Sequence, residues 1–483
     1  MAGCVCRMGL SGPRFGLVWL LLVSACGGGG SGGGSGDTSA PTVSSVTPAN
    51  NATAVAINTA VNATFSETMS AATLTATSFT LSGSGGAVAG SVGYSGLTAT
   101  FTPTNALDTN TSYTATVTTA AKDVAGNSLA SNYAWSFTTR PFTRQLGTAA
   151  SDAGAGVATD ANGNVYVAGY TGGALDGQTS TGSVDLFVVK YDSKGVKQWT
   201  RQMGTAWDDF GYSVATDANG NVYVAGYTGG VLDGLSSAGG IDMFVVKYDT
   251  NGIKQWTRQM GTAWDDFGYS VATDTNGNVY VAGSTGGALD GQTTAGGWDA
   301  FIIKYDTDGV KQWARQLGTA TNDGGNNIAT DASGNVYVAG NTDGALDGQA
   351  SAGGYDVFVA KYDTNGVKQW TRQLGTVTTD YGYGLATDAN GGIFVSGSTF
   401  DSLDSQTPFG NGDLFVVKYD TSGVKQWARQ LGTATSDYGR SVATDTSGNI
   451  YVTGFTDGAL DGQASAGGND VFVVKYDSNG NKK

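Results

Sequence analysis

An arginine returns every 57 residues through the last two thirds of the chain, at Arg144, Arg201, Arg258, Arg315, Arg372 and Arg429, with no drift. Tryptophan keeps the same step from Trp199 to Trp427, and columns of aspartate travel with both. A fixed period of this length means a repeat architecture, in which each copy buries its apolar face only by stacking on the next. In the copy that starts at Arg201, four runs read as strands: Tyr212–Thr216, Asn221–Tyr227, Met243–Tyr248 and Lys254–Met260. Asp217-Ala218-Asn219-Gly220 and Asp249-Thr250-Asn251-Gly252 separate them as hairpin turns. Four antiparallel strands in each of six copies predict an all-β chain with a six-bladed β-propeller over 142–483. The sixth copy stops after Phe472–Asp477 and a turn, whereas Phe142-Thr143-Arg144-Gln145-Leu146-Gly147 carries fourth-strand sequence ahead of the first copy. The expectation is that strand 142–147 closes the last blade and removes its open edge.

Composition narrows the chemistry. The formal charge is −15 with only 25 Lys and Arg, so nucleic acid is not an expected partner. The chain has no histidine, which excludes Ser-His-Asp and Cys-His catalysis and the usual zinc ligand. Glutamate occurs once, at Glu67, so the acid is almost all aspartate. The three cysteines, Cys4, Cys6 and Cys26, lie in the first 26 residues, and no disulfide can staple the remainder.

Residues 1–26 read as a signal segment: Arg7 and Arg14 precede the apolar run Phe15–Val23, which is too short to span a bilayer comfortably. Either Met1 or Met8 serves as the start. Val23-Ser24-Ala25-Cys26 resembles the bacterial lipobox, which implies lipid attachment at Cys26, a membrane partner through that anchor, and an extracytoplasmic location. Gly27 after the cysteine resembles the outer-membrane sorting pattern, so outer membrane or cell surface is expected. Gly27–Gly36 is a Gly/Ser linker, with an r.m.s. span of about 17–19 Å.

Residues 37–139 change to short Thr/Ala/Ser/Val runs punctuated by Gly, Asn and Pro, the pattern of a small β-sandwich. Pro41-Thr42-Val43, Phe65-Ser66-Glu67-Thr68-Met69, Lys122-Asp123-Val124-Ala125-Gly126-Asn127 and Trp135-Ser136-Phe137-Thr138-Thr139 resemble the bacterial Ig-like domains, a family of spacer and interaction modules. The run Gly-Tyr-Ser-Val-Ala-Thr-Asp at 211–217, Gly220-Asn221-Val222-Tyr223-Val224-Ala225-Gly226 and Asp242-Met243-Phe244-Val245-Val246-Lys247-Tyr248-Asp249 resemble the bacterial SBBP β-propeller repeats of secreted and surface proteins. That resemblance implies the fold and setting and no particular reaction.

Candidate chemistry gathers on the face of the longer loops. Asp152, Asp209, Asp266, Asp323, Asp380 and Asp437 precede the innermost strand, and two further columns begin at Asp176 and Asp185. A ring of carboxylates suits Ca²⁺; alternatively each aspartate caps its own loop, copied with the unit. Aromatics also decorate this face at Tyr381, Tyr383 and Tyr438. Trp207, Asp208, Phe210, Trp264, Asp265 and Phe267 group aromatics with acids in copies two and three, a pattern that suits a local sugar site or, alternatively, packing between neighbouring loops. The repeats offer symmetric aspartates rather than the unequal carboxyl pair that glycoside cleavage needs. The expected function is therefore non-catalytic binding or adhesion, to a surface protein or polysaccharide. A calcium-stabilised carbohydrate-binding module and a polysaccharide hydrolase or lyase are the alternatives.

Overall fold

The computed structural model describes residues 37–483; the signal segment 1–26, Cys26 and the linker 27–36 lie outside the described residues. Two compact units follow, the first closing at Thr138. Its strands are β1 (Val43–Thr47), β2 (Ala52–Val55), β3 (Val61–Phe65), β4 (Phe79–Gly83), β5 (Gly86–Ala87), β6 (Gly90–Ser95), β7 (Thr98–Pro103), β8 (Ser112–Val117) and β9 (Tyr133–Thr139). They form two sheets, β1-β3-β7-β6 and β2-β9-β8-β4-β5. Alternation drives the packing: Val61, Ala63 and Phe65 of β3 and Tyr113, Ala115 and Val117 of β8 are buried while their neighbours are not. Phe79 bridges the layers, with its ring centroid 5.9 Å from Phe101 and 5.8 Å from Trp135.

The second unit is a propeller whose blades are simple meanders. Blade one runs β10 (Asp152–Thr159), β11 (Val165–Thr171), β12 (Asp185–Tyr191) and β13 (Lys197–Met203), each hydrogen-bonded to the next. Blades two to five repeat it at the 57-residue step; blade six has three strands, Asp437–Thr444, Ile450–Thr456 and Asp470–Tyr476. The innermost strand starts three residues earlier than its alternation suggests: Asp209, Phe210 and Gly211 pair with Thr228, Tyr227 and Gly226 ahead of a bulge. That irregularity breaks the period-2 pattern that marks a strand in sequence.

Hydrogen bonds within the short turns account for the aspartates there. Asp160 Oδ1 accepts from the Asn162 and Asn164 amides at 2.9 and 3.0 Å, and Oδ2 accepts from Asn164 Nδ2 and the Tyr166 hydroxyl at 2.7 and 3.0 Å. Gly163 takes the positive φ of 74° that the turn requires.

Stability lies between blades rather than within them. Met243 and Val245 of blade two pack with Val271, Val279, Phe301 and Ile303 of blade three in one buried cluster. The arginine column ties each fourth strand to the following blade: Arg201 Nε donates to Gly252 O at 2.6 Å, and its guanidinium lies 5.5 Å from the Trp199 ring centroid. On the inner strands, the Thr216, Thr273, Thr330, Thr387 and Thr444 hydroxyls each donate to the threonine carbonyl of the preceding blade.

This neighbour-to-neighbour packing stops between blade six and blade one. Val157 is 68 % exposed where its counterparts Val214 and Val271 are 7 % and 6 %; Val471 and Val473 are 83 % and 68 % exposed where Met243 and Val245 are 0 %. The expected closing strand 142–147 is not a strand, and blade six keeps a free third-strand edge. Phe142 packs edge-on to Tyr191, and Arg144 Nε donates to Gly195 O, the contacts that Trp199 and Arg201 make with blade two. Pairing with blade six additionally requires the two ends of the array to come together, and here they are apart.

Candidate functional site

Short Asp-centred turns occupy one face of the propeller, and the loops after β11 and between blades occupy the other. The longer loop does not stay on its face. Gln202 Oε1 accepts from the Leu175 amide at 2.8 Å, and Gln202 Nε2 donates to Gly173 O and Asp185 Oδ2 at 2.9 and 2.7 Å. Further along β13, the Thr200 hydroxyl donates to Asp176 Oδ2 and Lys197 pairs with Oδ1, both at 2.5 Å. Because Gln202, Thr200 and Lys197 follow β13 from end to end, the loop descends along the outer strand and covers its unpaired edge. The Asp176 column is thus a brace on the blade's rim, in a left-handed conformation (φ 52°) that aspartate tolerates.

The Asp209 column stays on the loop face and each member is bound locally through Oδ2, while the buried Oδ1 of Asp266, Asp323 and Asp380 has no hydrogen-bond partner. Asp209 Oδ2 accepts from the Thr205 amide and hydroxyl at 2.6 and 3.0 Å, and Oδ1 accepts from Thr228 Oγ1. Asp152, Asp266, Asp323, Asp380 and Asp437 are likewise bound by Thr148, Thr262, Thr319, Thr376 and Thr433. All but Asp152 sit across a blade boundary from an aspartate that opens the previous blade's third strand. At Gly261 the two approach so closely that a Cβ would lie 1.9 Å from Asp242 Oδ1 and 3.0 Å from Asp266 Oδ2. Burial, with the Asp242 charge adding, holds the Asp266 carboxyl above its ordinary value despite the donors of Thr285 and Thr262. The same holds for Asp209, Asp323 and Asp380.

The six carboxylates do not form a shared ligand ring; each belongs to its own loop. Among the described residues, the one trio of carboxylates within 4.8 Å is Asp37, Glu67 and Asp123, in the Ig-like unit. There Asp123 is already clamped by the Asn127 amide and side chain, both at 2.8 Å.

The copies diverge on the inner part of the loop face. In blade two Phe210 fills the gap to blade one, 4.8 Å from Tyr170, and in blade three Phe267 does the same, 4.8 Å from Tyr227. Blade four has Gly324 at that position, facing Ser284 of blade three. Both rings are missing, and a cleft of about 410 Å³ opens, lined by Phe267, Tyr269, Ser284, Trp298, Asn322, Asp323, Gly324, Asn326, Asn341 and Tyr355. Trp298 and Phe267 form one wall with centroids 5.5 Å apart, and Tyr355 stands in the cleft beside Tyr381 at 5.7 Å. On the cleft floor, Asn326 Nδ2 donates to Gly382 O at 2.8 Å and to Asn341 Oδ1 at 2.7 Å.

The family comparisons agree with this architecture. The bacterial Ig-like domain model matches residues 37–139, and the β-propeller repeat model matches 142–175, 198–233, 255–289, 312–346, 369–400 and 426–460. The chain belongs to the β-propeller repeat family. This repeat protein is 27 % identical to the regulatory protein FlaEY of Caulobacter vibrioides, over 66 % of its own length and 38 % of the relative's. It is 23 % identical to the uncharacterized WD repeat-containing protein L264 of Acanthamoeba polyphaga mimivirus, over 70 % and 33 % of the two lengths. The chain thus spans little more than a third of the curated relatives it matches. Solved structures of similar fold include a Xanthomonas campestris gluconolactonase (12 % identity, TM-score 0.32, 65 % of this chain and 96 % of that one). Another is the propeller domain of the Pyrococcus furiosus Trilobed protease (11 %, 0.36, 69 % and 83 %).

Of the aromatic and acidic residues singled out in the repeat protein's sequence, Phe267 and Asp323 line the cleft. Trp207 and Trp264 project into solvent, 67 % and 69 % exposed, and Phe210 is committed to packing with Tyr170 and Tyr227. Asp265 Oδ1 accepts from the Ile241 amide at 3.0 Å, and Asp208 offers its backbone carbonyl to Gly229. Sequence reasoning missed Trp298, Tyr355, Asn326 and Asn341. Their signal was available: in the Trp298 column the other copies have Val184, Ile241, Tyr355, Gly412 and Asn469, so rings occur only at blades three and four.

Proposed function

We propose that this protein is a non-catalytic binding module, displayed outside the cytoplasm on a lipidated Cys26, whose ligand surface is the loop face centred on the cleft between blades three and four. The carrying observation is the break in repeat symmetry: the cleft exists because Ser284 and Gly324 replace rings that other copies use for packing. A concave site of about 410 Å³ with aromatic walls and a few convergent polar groups is the common form of a ligand site. A binding rather than a reactive role is supported by its polar groups, which are amides, the hydroxyls of Ser284, Tyr269 and Tyr355, and one carboxyl, Asp323, already bound to the Thr319 amide and hydroxyl at 2.6 and 2.9 Å. General acid–base cleavage needs two carboxyls with separated roles.

The test is binding of the full chain to arrayed polysaccharides and purified cell-surface proteins, with Gly324→Phe alongside. That substitution restores the ring found in blades two and three at the same backbone position. The reading expects a ligand bound by the parent chain and lost in Gly324→Phe; equal binding by both would remove the cleft from the function.

A further inference from the structure

Resting on the reading of the cleft as a ligand site, we infer that its ligand is a neutral saccharide of one or two pyranose rings, held between Trp298 and Tyr355 and hydrogen-bonded by Asn326 and Asn341. The argument begins with the amides. Gly382 O is a carbonyl and can only accept, so the Asn326 atom 2.8 Å from it is the amide nitrogen. The same nitrogen lies 2.7 Å from Asn341, whose facing atom must then be its oxygen. This leaves Asn326 Oδ1 as an acceptor and Asn341 Nδ2 as a donor without a protein partner, on two hydrogen-bonded side chains that both line the cleft. A free acceptor and a free donor on two neighbouring side chains suit the hydroxyls of a sugar, each of which both donates and accepts.

The walls supply the second half. Trp298, Phe267 and Tyr355 are half-buried, so ring surface remains open to a ligand. Aromatic faces are flat and electron-rich, and an axial C–H face of a pyranose meets them without leaving a polar group stranded. Charge then selects among amphipathic ligands. No lysine or arginine lines the cleft, so nothing there compensates an anionic sugar or a phosphate. The one carboxyl, Asp323, is 2 % exposed, with Oδ2 engaged by Thr319 and an unpartnered Oδ1 closed off from the surface, so it presents no oxygen to a cationic ligand. A wholly apolar ligand would leave the asparagine groups desolvated and unpaired. A neutral polyhydroxylated ring satisfies all three constraints.

Uncharged oligosaccharides of hexoses and N-acetylhexosamines, presented on an array and then titrated calorimetrically into the full chain, provide the test. Trp298→Ala, Asn341→Ala and Gly324→Phe are each expected to weaken the interaction at least roughly ten-fold. Trp207→Ala, outside the cleft, is expected to leave it unchanged, and matched melting temperatures show that the variants are folded. Failure of the parent chain to bind any neutral saccharide overturns the inference, as does binding that survives both Trp298→Ala and Gly324→Phe. A protein ligand lost in Gly324→Phe, with no saccharide bound, overturns the sugar while leaving the cleft as the binding site; no ligand sensitive to Gly324→Phe overturns both.

Discussion

Buried carboxyl pairs at the blade boundaries make single aspartates sensitive to pH in two opposite ways. Asp209, Asp266, Asp323 and Asp380 have folded-state values raised above 3.8 by burial. A raised carboxyl holds its proton more tightly in the folded state, so its contribution to stability is full below 3.8 and is lost as pH rises through the folded value. Turn aspartates behave in reverse: burial works against the charge of Asp331 but the Asn335 and Tyr337 donors outweigh it, and Asn449 draws Asp445 down to about 2. Their contribution is lost as pH falls from 3.8 through the depressed value. Urea midpoints are therefore expected to rise as pH is lowered from 7 toward 4 and to fall below that. Asp266→Asn keeps an acceptor for Thr262, so it is expected to change stability at pH 7 by less than about 1 kcal/mol and to flatten the rise. An unchanged slope in the variant would refute the assignment. Because the loop-face carboxylates each hold a loop or strand donor through Oδ2, a chelator is expected to leave the melting temperature of the full chain unchanged; a lowered melting temperature would assign a cation to the unpartnered Oδ1 atoms and revive the calcium reading.

At the level of elements, the loop between the second and third strands does more than connect them. Its leucine is buried at the top of the outer strand and its aspartate is ion-paired at the bottom, and these two anchors differ in worth. The Lys254–Asp233 pair is partly exposed, so Lys254→Met is expected to change unfolding free energy by less than about 1 kcal/mol. Leu232, 0 % exposed, is expected to cost about 2–5 kcal/mol on replacement by alanine. Urea denaturation of the two variants measures both, and a larger loss for Lys254→Met would contradict the account. Strands and short turns were legible in the sequence because their periodicity and Asp/Asn/Gly chemistry are local. The loop's course was not: Asp176 reads as a loop-face acid until Thr200 and Lys197 are seen to engage it from another strand. The cleft was legible only in outline, since Ser284 and Gly324 mark it by lacking a ring and lie on different copies.

Across the whole molecule, a sequence of constant period yields an array of like blades that differs at its ends and most strongly at the one internal boundary where both facing rings, at Ser284 and Gly324, are absent. The end difference is the seam, where Val473 is exposed although its counterpart Val245 is buried. Val245→Ala is expected to cost about 2 kcal/mol and Val473→Ala close to nothing. Equal losses in urea would mean that blades six and one close together in solution, with Phe142–Gly147 supplying the missing strand. The internal difference is the cleft between blades three and four, and the central claim is that function follows the copy that departs from the repeat rather than the columns that obey it. Calorimetric titration of one bound ligand into the parent chain, Gly324→Phe and Asp209→Asn tests this most directly. The account predicts that filling the cleft abolishes binding while altering a repeated aspartate leaves the affinity within about two-fold; undiminished binding by Gly324→Phe would contradict it.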